Sequence, residues 1–474
     1  MSSYSKTSYI MIKKEATENV AVKPDVSIPF LSEDISVEWS GEYSQAIVNN
    51  RFKNYRPIER AIPAPEGTIS FAAEPALLGH FLSSNVGALT SGIYMPVSSV
   101  TGTFQVGETI TGGTSSATAD IVAISSENDY LLLENATGSF TAAETITGGT
   151  SSATATMTKY DAQAIGHQYL VPQDDLNTTY TVEIGFDNEA FRYTGVRFAE
   201  MNFSIDNNQL IAEAMVMARS AFKMGRVTAV TSSGAGSKTI TLDQTTGLVA
   251  TDTIKVFRPG TGFLDFSASG VKTHTVGTVA SETSITITNL QTALAVGDLI
   301  VLAPQTTAYT GEREFTWAGG AYARVGNSIT AALTSTNDNI EEWETGVVNT
   351  LEYRHAANGT NLVNRFPAKV FTAGCEASGK ITKTYVDMTM TDRLRSERKV
   401  ALQVLFEADA LPNAASFNYL LDIRTPDIRF KPYAPNVSED DLLVEEIEFE
   451  IFKDQTAGYA VKMLLVNEED GTDY

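Results

Sequence analysis

Four histidines, His80, His167, His274 and His355, and one cysteine, Cys375, are the residues of this chain with side chains suited to metal ligation, proton transfer or nucleophilic attack. Each histidine stands alone. None has a second ligand-type residue at the spacing of a metal site or a relay, so each reads as a structural or surface residue. Cys375, in AGCEAS ahead of an expected strand, has no nucleophile signature and reads as a small apolar residue. TGGTSS occurs at Thr111 and again at Thr147, but lacks the Lys-Ser/Thr end of a phosphate loop and the helix that would hold the anion; it reads as a turn. SEDD (residues 438–441) and TNDNIEEWE (residues 336–344) concentrate carboxylates and amides without the Gly and terminal Glu of a calcium loop, which makes them solvated acidic turns. Nothing selects a catalytic pair from the 57 acids. The expectation is a chain without catalytic residues, metal or cofactor, and not an enzyme.

The elements that carry these residues can fill several cores, since the chain has 474 residues and 43% hydrophobic content, enough for two to four domains. Lys and Arg number 34 against 57 Asp and Glu, and the formal charge of -23 repels phosphate, which argues against nucleic-acid binding driven by counterion release. The single cysteine leaves no internal disulfide framework and fits folding in a reducing cytoplasm. The N-terminal MSSYSKTSYIMIKKEATENV lacks the cationic start and apolar run of a secretory signal, and no stretch approaches the ~18 apolar residues of a membrane span. A soluble protein without membrane contact is expected.

The clearest internal feature is a repeat. GTFQVGETITGGTSSATAD from Gly102 recurs as GSFTAAETITGGTSSATAT from Gly138, 36 residues on. Between the copies, residues 121–124 and 130–133 read as short strands joined by a polar turn at 127–129. Residues 97–160 are therefore an inserted all-β module of two units sharing one core. A second Thr-rich stretch, residues 223–304, echoes Thr239-Ile-Thr-Leu242 in Ser284-Ile-Thr-Ile287, with strands following at 253–257 and 298–302. It reads as a second small β module, and both compositions suit small sandwiches. Their aromatic residues, Phe104, Tyr130 and Phe140 in the first and Phe257, Phe263 and Phe266 in the second, are too few to favour sugar stacking.

With both modules set aside, a fainter duplication emerges. RPIERAIPAPEGTISFAAEPALLGHFL matches RFPAKVFTAGCEASGKITKTYVDMTMTDRL, placing Gly67 with Gly379 and Leu82 with Leu394, 312 residues apart. Further on, AEMNFSI (199–205) lines up with EEIEFEI (445–451) at a separation of 246. Residues 1–96 with 161–222 then form one copy, and 305–474 the other. Each copy reads as an extended N-terminal hairpin, a strand, a short helix and more strands. In residues 179–184 the apolar Tyr180, Val182 and Ile184 share a face, and Ile447, Phe449 and Ile451 alternate with Glu446, Glu448 and Glu450. The better helix is residues 75–82, with Pro75 in its first turn and Leu78 and Leu82 at i, i+4; its counterpart at 388–394 is weakened by the β-branched Thr389 and Thr391.

The run YTVEIGFDNEAFRYTGVRFAEMNFSIDNNQLIAEAMVMARSAF, and towards the C-terminus FNYLLDIRTPDIRF, EEIEFEIF and KDQTAGYAVKMLLVNEE, resemble the tail tube proteins of long non-contractile bacteriophage tails. Gly195-Val196, Asn207-Asn208 and residues 456–458 stand at that family's strand step and polar turns. The resemblance covers roughly 1–96, 161–222 and 305–474. It implies a mainly β fold: a duplicated tail-tube β-barrel or sandwich, each copy with a short flanking helix, plus the two inserted all-β modules as exterior decoration. It also implies a structural virion subunit, made in the host cytoplasm and placed in the tail, stacking as rings around a channel through which DNA passes without specific binding. Two copies per chain imply a homotrimeric, pseudo-hexameric ring, with a hexamer as the alternative; further partners would be adjacent rings, tape measure protein and tail terminator protein. Residues 34–60, where Val37, Trp39 and Tyr43 alternate loosely, are expected to order against a neighbour. The lumen-lining set is Glu446, Glu448 and Glu450, with Glu200, Asn202 and Ser204 in the first copy. The competing class is a receptor-binding or surface-adhesion protein, which would explain the modules but would place them terminally.

Overall fold

The computed structural model describes residues 8–37, 42–43, 57–58, 62–87, 89–171, 178–230, 236–264, 273–290, 293–335, 340–356, 365–386, 388–396, 398–433, 443–472 and 474. The chain opens with β1 (Tyr9–Lys14), β2 (Val26–Ile28), β3 (Phe30–Glu33), β4 (Glu42–Tyr43), β5 (Pro57–Ile58), β6 (Glu66–Ala72) and helix α1 (Pro75–Asn85). Next come β7 (Leu89–Thr101), β8 (Thr109–Gly112), β9 (Thr118–Ile124), β10 (Tyr130–Thr137), β11 (Thr145–Gly148), β12 (Thr154–Met157) and β13 (Ile165–Leu170). β14 (Tyr180–Gly185), β15 (Ala190–Asp206), β16 (Gln209–Met217) and β17 (Ser220–Phe222) lead to β18 (Gly225–Val230), β19 (Gly236–Leu242), β20 (Thr253–Arg258), β21 (Gly262–Phe263), β22 (His274–Ser281), β23 (Ser284–Leu290) and β24 (Leu299–Leu302). The last part holds β25 (Ala321–Gly326), α2 (Ile329–Thr334), β26 (Ile340–Arg354), β27 (Lys369–Thr384), α3 (Thr389–Arg395), β28 (Val400–Ala410), β29 (Asn418–Phe430), β30 (Val444–Ile451) and β31 (Lys462–Asn467). The fold is mainly β, as expected.

Strand pairing displays the duplication directly. One half pairs in the order β1–β14–β15–β16–β6–β3, and the other in the order β25–β28–β29–β30–β27–β26, with every pair antiparallel. Register then fixes residue equivalence. Gly67 lies opposite Val216 and Gly379 opposite Phe449, so the two glycines correspond, at the same 312-residue separation that the sequence shows. A reason for glycine is visible at both: an added Cβ would meet Ile35 Cα at 2.5 Å in one half and the Glu344 carbonyl at 2.5 Å in the other. The second match, at 246, is corrected. A bulge after Tyr193 in β15 and after Thr425 in β29 aligns Val196 with Ile428 and Phe198 with Phe430, so β15 corresponds to β29, and β16 rather than β15 corresponds to β30. Alternation alone misled here, because both β15 and β16 alternate apolar and polar residues.

Helix α1 starts on Pro75 but does not show the one-sided face suggested by Leu78 and Leu82: all its residues are buried. Its polar end is held inside the protein, with the Asn85 side-chain oxygen left without a donor among the described residues. Ser83 pairs with the Tyr180 hydroxyl at 2.6 Å, and the Asn85 amide donates to the carbonyls of Phe198, Ala199 and Val347, reaching strands of both halves. In the equivalent position α3 is helical despite Thr389 and Thr391, and buries only Met390. One continuous apolar cluster serves both halves.

Each inserted region has a core of its own, although Ala123, Tyr130 and Leu132 of the first also pack into the scaffold cluster. Neither is a sandwich. Their strands pair right round, β7–β10–β9–β8–β11–β12–β7 in the first and β18–β24–β20–β22–β23–β19–β18 in the second, so each is a closed six-stranded barrel. Closure removes exposed sheet edges from strands that carry few charges to protect them. The two cycles become identical when the strand order of one is shifted by a single step, which makes the second barrel a circular permutation of the first. One turn recurs at the start of four strands: Phe104 to Ile110, Phe140 to Ile146, Leu248 to Ile254 and Leu294 to Ile300. In each turn an acid, Glu108, Glu144, Asp252 or Asp298, accepts the backbone N–H three residues back at 2.6–2.8 Å, and the residue before it has positive φ. The first and last residues of each turn are buried in the barrel core.

Candidate functional site

The two halves are joined by two strand pairings, β13 against β31, Ile165–Leu170 opposite Lys462–Asn467, and a sheet-to-sheet seam in which β15 residues Glu200 to Ser204 pair against β26 residues Val348 to Glu344. The sheet therefore runs unbroken from β3 through β16, β15, β26 and β27 to β30. Its inner face carries Met201, Phe203, Trp343, Val347, Ile381, Ile447 and Phe449, all buried against the core. The opposite face has to present their alternates to solvent.

All six residues expected to share a surface do lie on that one face. Ser204, Glu344, Lys380 and Glu448 form one cross-strand row, and Asn202, Gly346, Ser378 and Glu450 form the next. Glu200 is followed across the seam by Val348 and Glu376, while Glu342 and Glu446 flank the other side. The rows enclose a trough of about 420 Å³. Gly346 makes it possible, because a Cβ there would meet the Asn202 amide oxygen at 2.2 Å; Asn202 in turn donates to Glu200 at 2.6 Å. Glu213 stands opposite Asn202 on β16 and is the true counterpart of Glu446, so only one acid of the β30 triplet recurs in the first half, Met215 and Met217 taking the other two positions.

Eight carboxylates on this face, at 200, 213, 342, 344, 376, 446, 448 and 450, meet two ammonium groups and the guanidinium of Arg429, which stands opposite Glu450 and pairs with Asp427 at 2.8 Å. Lys380 approaches Glu446 at 3.2 Å, and Lys431 lies 3.5 Å from Glu448 and 3.9 Å from Glu450. The hydrogen bond to Glu446 raises the Lys380 pKa above its ordinary value, with Glu344 and Glu342 adding to it. Glu446, Glu448 and Glu450 keep 57%, 65% and 55% of their side chains exposed, so water screens their mutual repulsion and the face persists as a broad negative surface.

Elsewhere the candidate chemistry resolves into packing. His80 and His167 both lie against the Tyr474 ring, 4.9 Å from its centroid, and burial pushes each imidazole down to about 4, so both are neutral at pH 7. His274 is buried in the second barrel and His355 is exposed beside Tyr353. Cys375 is exposed on β27, not packed as a small apolar residue. Among the described residues no group of three potential metal ligands forms. Residues 336–339 and 438–441, and most of 34–60, including the side chains of Trp39 and Tyr43, lie outside the described residues, as does Phe266.

TGGTSS does hold an anion, and the anion belongs to the chain. Glu144 accepts from Thr114 N, Ser115 N and Ser115 Oγ at 2.7–2.9 Å, while Glu108 accepts from Thr150 N, Ser151 N and Ser151 Oγ at 2.8–3.1 Å. Each repeat thus fills the loop of the other. A Cβ on Gly112 or Gly148 would strike these carboxylates at 2.6–2.7 Å, which accounts for the glycine there. Sequence reading missed this exchange although the Glu and the loop repeat together. No protein-family model matches the chain, and no curated protein matches it at a significant level.

Proposed function

We propose that this chain is the building block of a phage tail tube, forming rings whose lumen is the acidic sheet face and through which DNA slides. The observation that carries the reading is the seam at β15 and β26. It joins unlike edges of two equivalent sheets, so it is a head-to-tail contact, and repeating such a contact at a fixed rotation closes a ring. The same edges recur unpaired at the chain's two ends. Among the described residues β3 pairs only with β6, where β26 has β15 as well; at the far end β29 runs out at Phe430, where its counterpart β15 continues into the seam. A second copy supplies the missing strand in each case, and three chains make six sheets.

The experiment follows from the register. In a Cys375→Ser background, Tyr433→Cys combined with Ser36→Cys or Val37→Cys is expected to give disulfide-linked trimers under oxidation, and negative-stain images should show rings. Crosslinking only within one chain, or compact particles without a channel, would sink the ring. The lumen is tested separately by replacing Glu446, Glu448 and Glu450 together with Lys. Tubes should still form, and DNA ejection should slow, most at low salt where screening is weakest. Unchanged ejection from assembled particles would remove the lumen assignment and leave the ring intact.

A further inference from the structure

Two arginines, Arg192 and Arg424, are buried, 1% and 3% exposed. They stand at equivalent positions, since the bulge that aligns Val196 with Ile428 also aligns them, 232 residues apart. Four of their hydrogen bonds match in donor atom and acceptor type, and the fifth differs, Nη1 of Arg192 reaching the Gly247 carbonyl at 2.8 Å and Nη1 of Arg424 the Glu127 carboxylate at 3.0 Å. Arg192 gives Nε and Nη2 to one oxygen of Glu183, at 3.0 and 2.6 Å, and Nη1 and Nη2 to the two oxygens of Asp252, at 2.7 and 3.0 Å. Arg424 gives Nε and Nη2 to one oxygen of Asp422, at 2.8 and 2.6 Å, and Nη1 and Nη2 to the two oxygens of Asp129, at 3.1 and 2.5 Å. The first carboxylate belongs in each case to the sheet of the same half. The second comes from an inserted barrel: Asp252 from the second barrel, Asp129 from the first.

We propose that these arginines mark one berth, present once on each half, and that the permuted barrels occupy the two berths in equivalent places. This rests on the ring reading for its outcome in the assembly. A ring built from equivalent halves would carry a barrel at every repeat position, six around a trimer, with the two kinds alternating, instead of three compound knobs. The surface presented to the outside would then be evenly spaced and of two chemistries.

End-on class averages of rings test the spacing. A hexahistidine insertion after Thr261, where the flanking Gly260 and Gly262 have no heavy atom near a built Cβ, takes nickel-gold on the second barrel alone. The expected image has six evenly spaced peripheral densities with gold on alternate ones. Three broad densities, or six gathered in close pairs, overturn the berth equivalence while the ring stands; absence of rings overturns the ring reading and the spacing with it. In the free chain, Arg192→Met should speed amide exchange at least tenfold in residues 248–256 and leave 125–133 unchanged, with Arg424→Met doing the converse. Loss of protection in both barrels from either substitution would show that the berths are not separate.

Discussion

The two barrels share strand order and turn, yet spend the same acidic residue differently. In the first, Glu108 and Glu144 are exchanged between repeats, closing the barrel on itself, and docking falls to Glu127 and Asp129 in another turn. In the second, Asp252 keeps its turn N–H but directs its remaining capacity outside the barrel to Arg192, and Asp298 is held by Arg258 at 2.7 Å. A turn motif therefore fixes where a carboxylate is presented, while its partner depends on what the rest of the chain brings there.

The largest effects should come from breaking the docking contacts. Arg192→Met takes the cation from the buried Glu183 and Asp252 and leaves them neutral donors, Tyr9 and Gln305 for the first and the Val249 N–H for the second, and a loss of about 3–5 kcal/mol in the opening free energy of the second barrel is expected from amide exchange. Arg424→Met should cost less, because Lys462 still pairs with Glu127 and Tyr459 donates to it. The first barrel also carries a pH signature. Burial pushes the Glu127 carboxyl upward, but the charges of Lys462 and Arg424 outweigh it and hold it at about 2. A carboxyl depressed on folding stabilises fully above its unfolded pKa of about 4.3 and loses that contribution as pH falls towards 2. Docking of the first barrel should weaken across that window, and Glu127→Gln should flatten the dependence; an unchanged acid profile in that variant would assign the effect elsewhere.

Smaller effects separate the barrels by their turns. Glu108→Gln and Glu144→Gln should each destabilise the first barrel by about 1–2 kcal/mol through loss of charge-assisted bonds to backbone N–H groups, and by similar amounts because the sites are related by the repeat. Strongly unequal losses would break that symmetry. The smallest expected change is a gain: Thr251 has φ of 77° where Gly107 and Gly297 stand in sister turns, so Thr251→Gly should stabilise the second barrel by about 1 kcal/mol. Thermal unfolding that shows a loss would mean that Thr251 makes a contact its sisters lack.

Much of this was legible in the residues. The 36-residue repeat, the Gly67 and Gly379 correspondence and the alternation of Ile447, Phe449 and Ile451 are consequences of local geometry, and local geometry leaves periodic marks. The relation between the barrels was hidden because the chain enters them at different strands, so no linear alignment puts the shared turns in phase. The spaced pattern of Phe or Leu, an acid four residues on and Ile two further was the available signal. For the acidic face, sequence found four of the eight carboxylates but mismatched the halves, since Ser204 reaches Glu448, and Asn202 reaches Glu450, through the seam and not through the duplication. Arg192 and Arg424 escaped notice because an isolated arginine in a strand has no signature; its burial depends on carboxylates up to 297 residues away.

In both barrels the first strand lies beside the last, β7 against β12 and β18 against β24. The chain therefore leaves and rejoins its host about one strand spacing apart, ~4.8 Å. Such an insertion asks almost nothing of the host loop, which could be closed by a few residues or opened to another domain whose termini are adjacent. Removing residues 98–159 with a short Gly/Ser bridge should accordingly preserve the scaffold's strand order, with Arg424 and Lys462 neutralised along with their lost partners, but at a cost in stability because Ala123, Tyr130 and Leu132 leave the scaffold cluster. The loop then becomes a site at which another folded domain can be displayed on the scaffold.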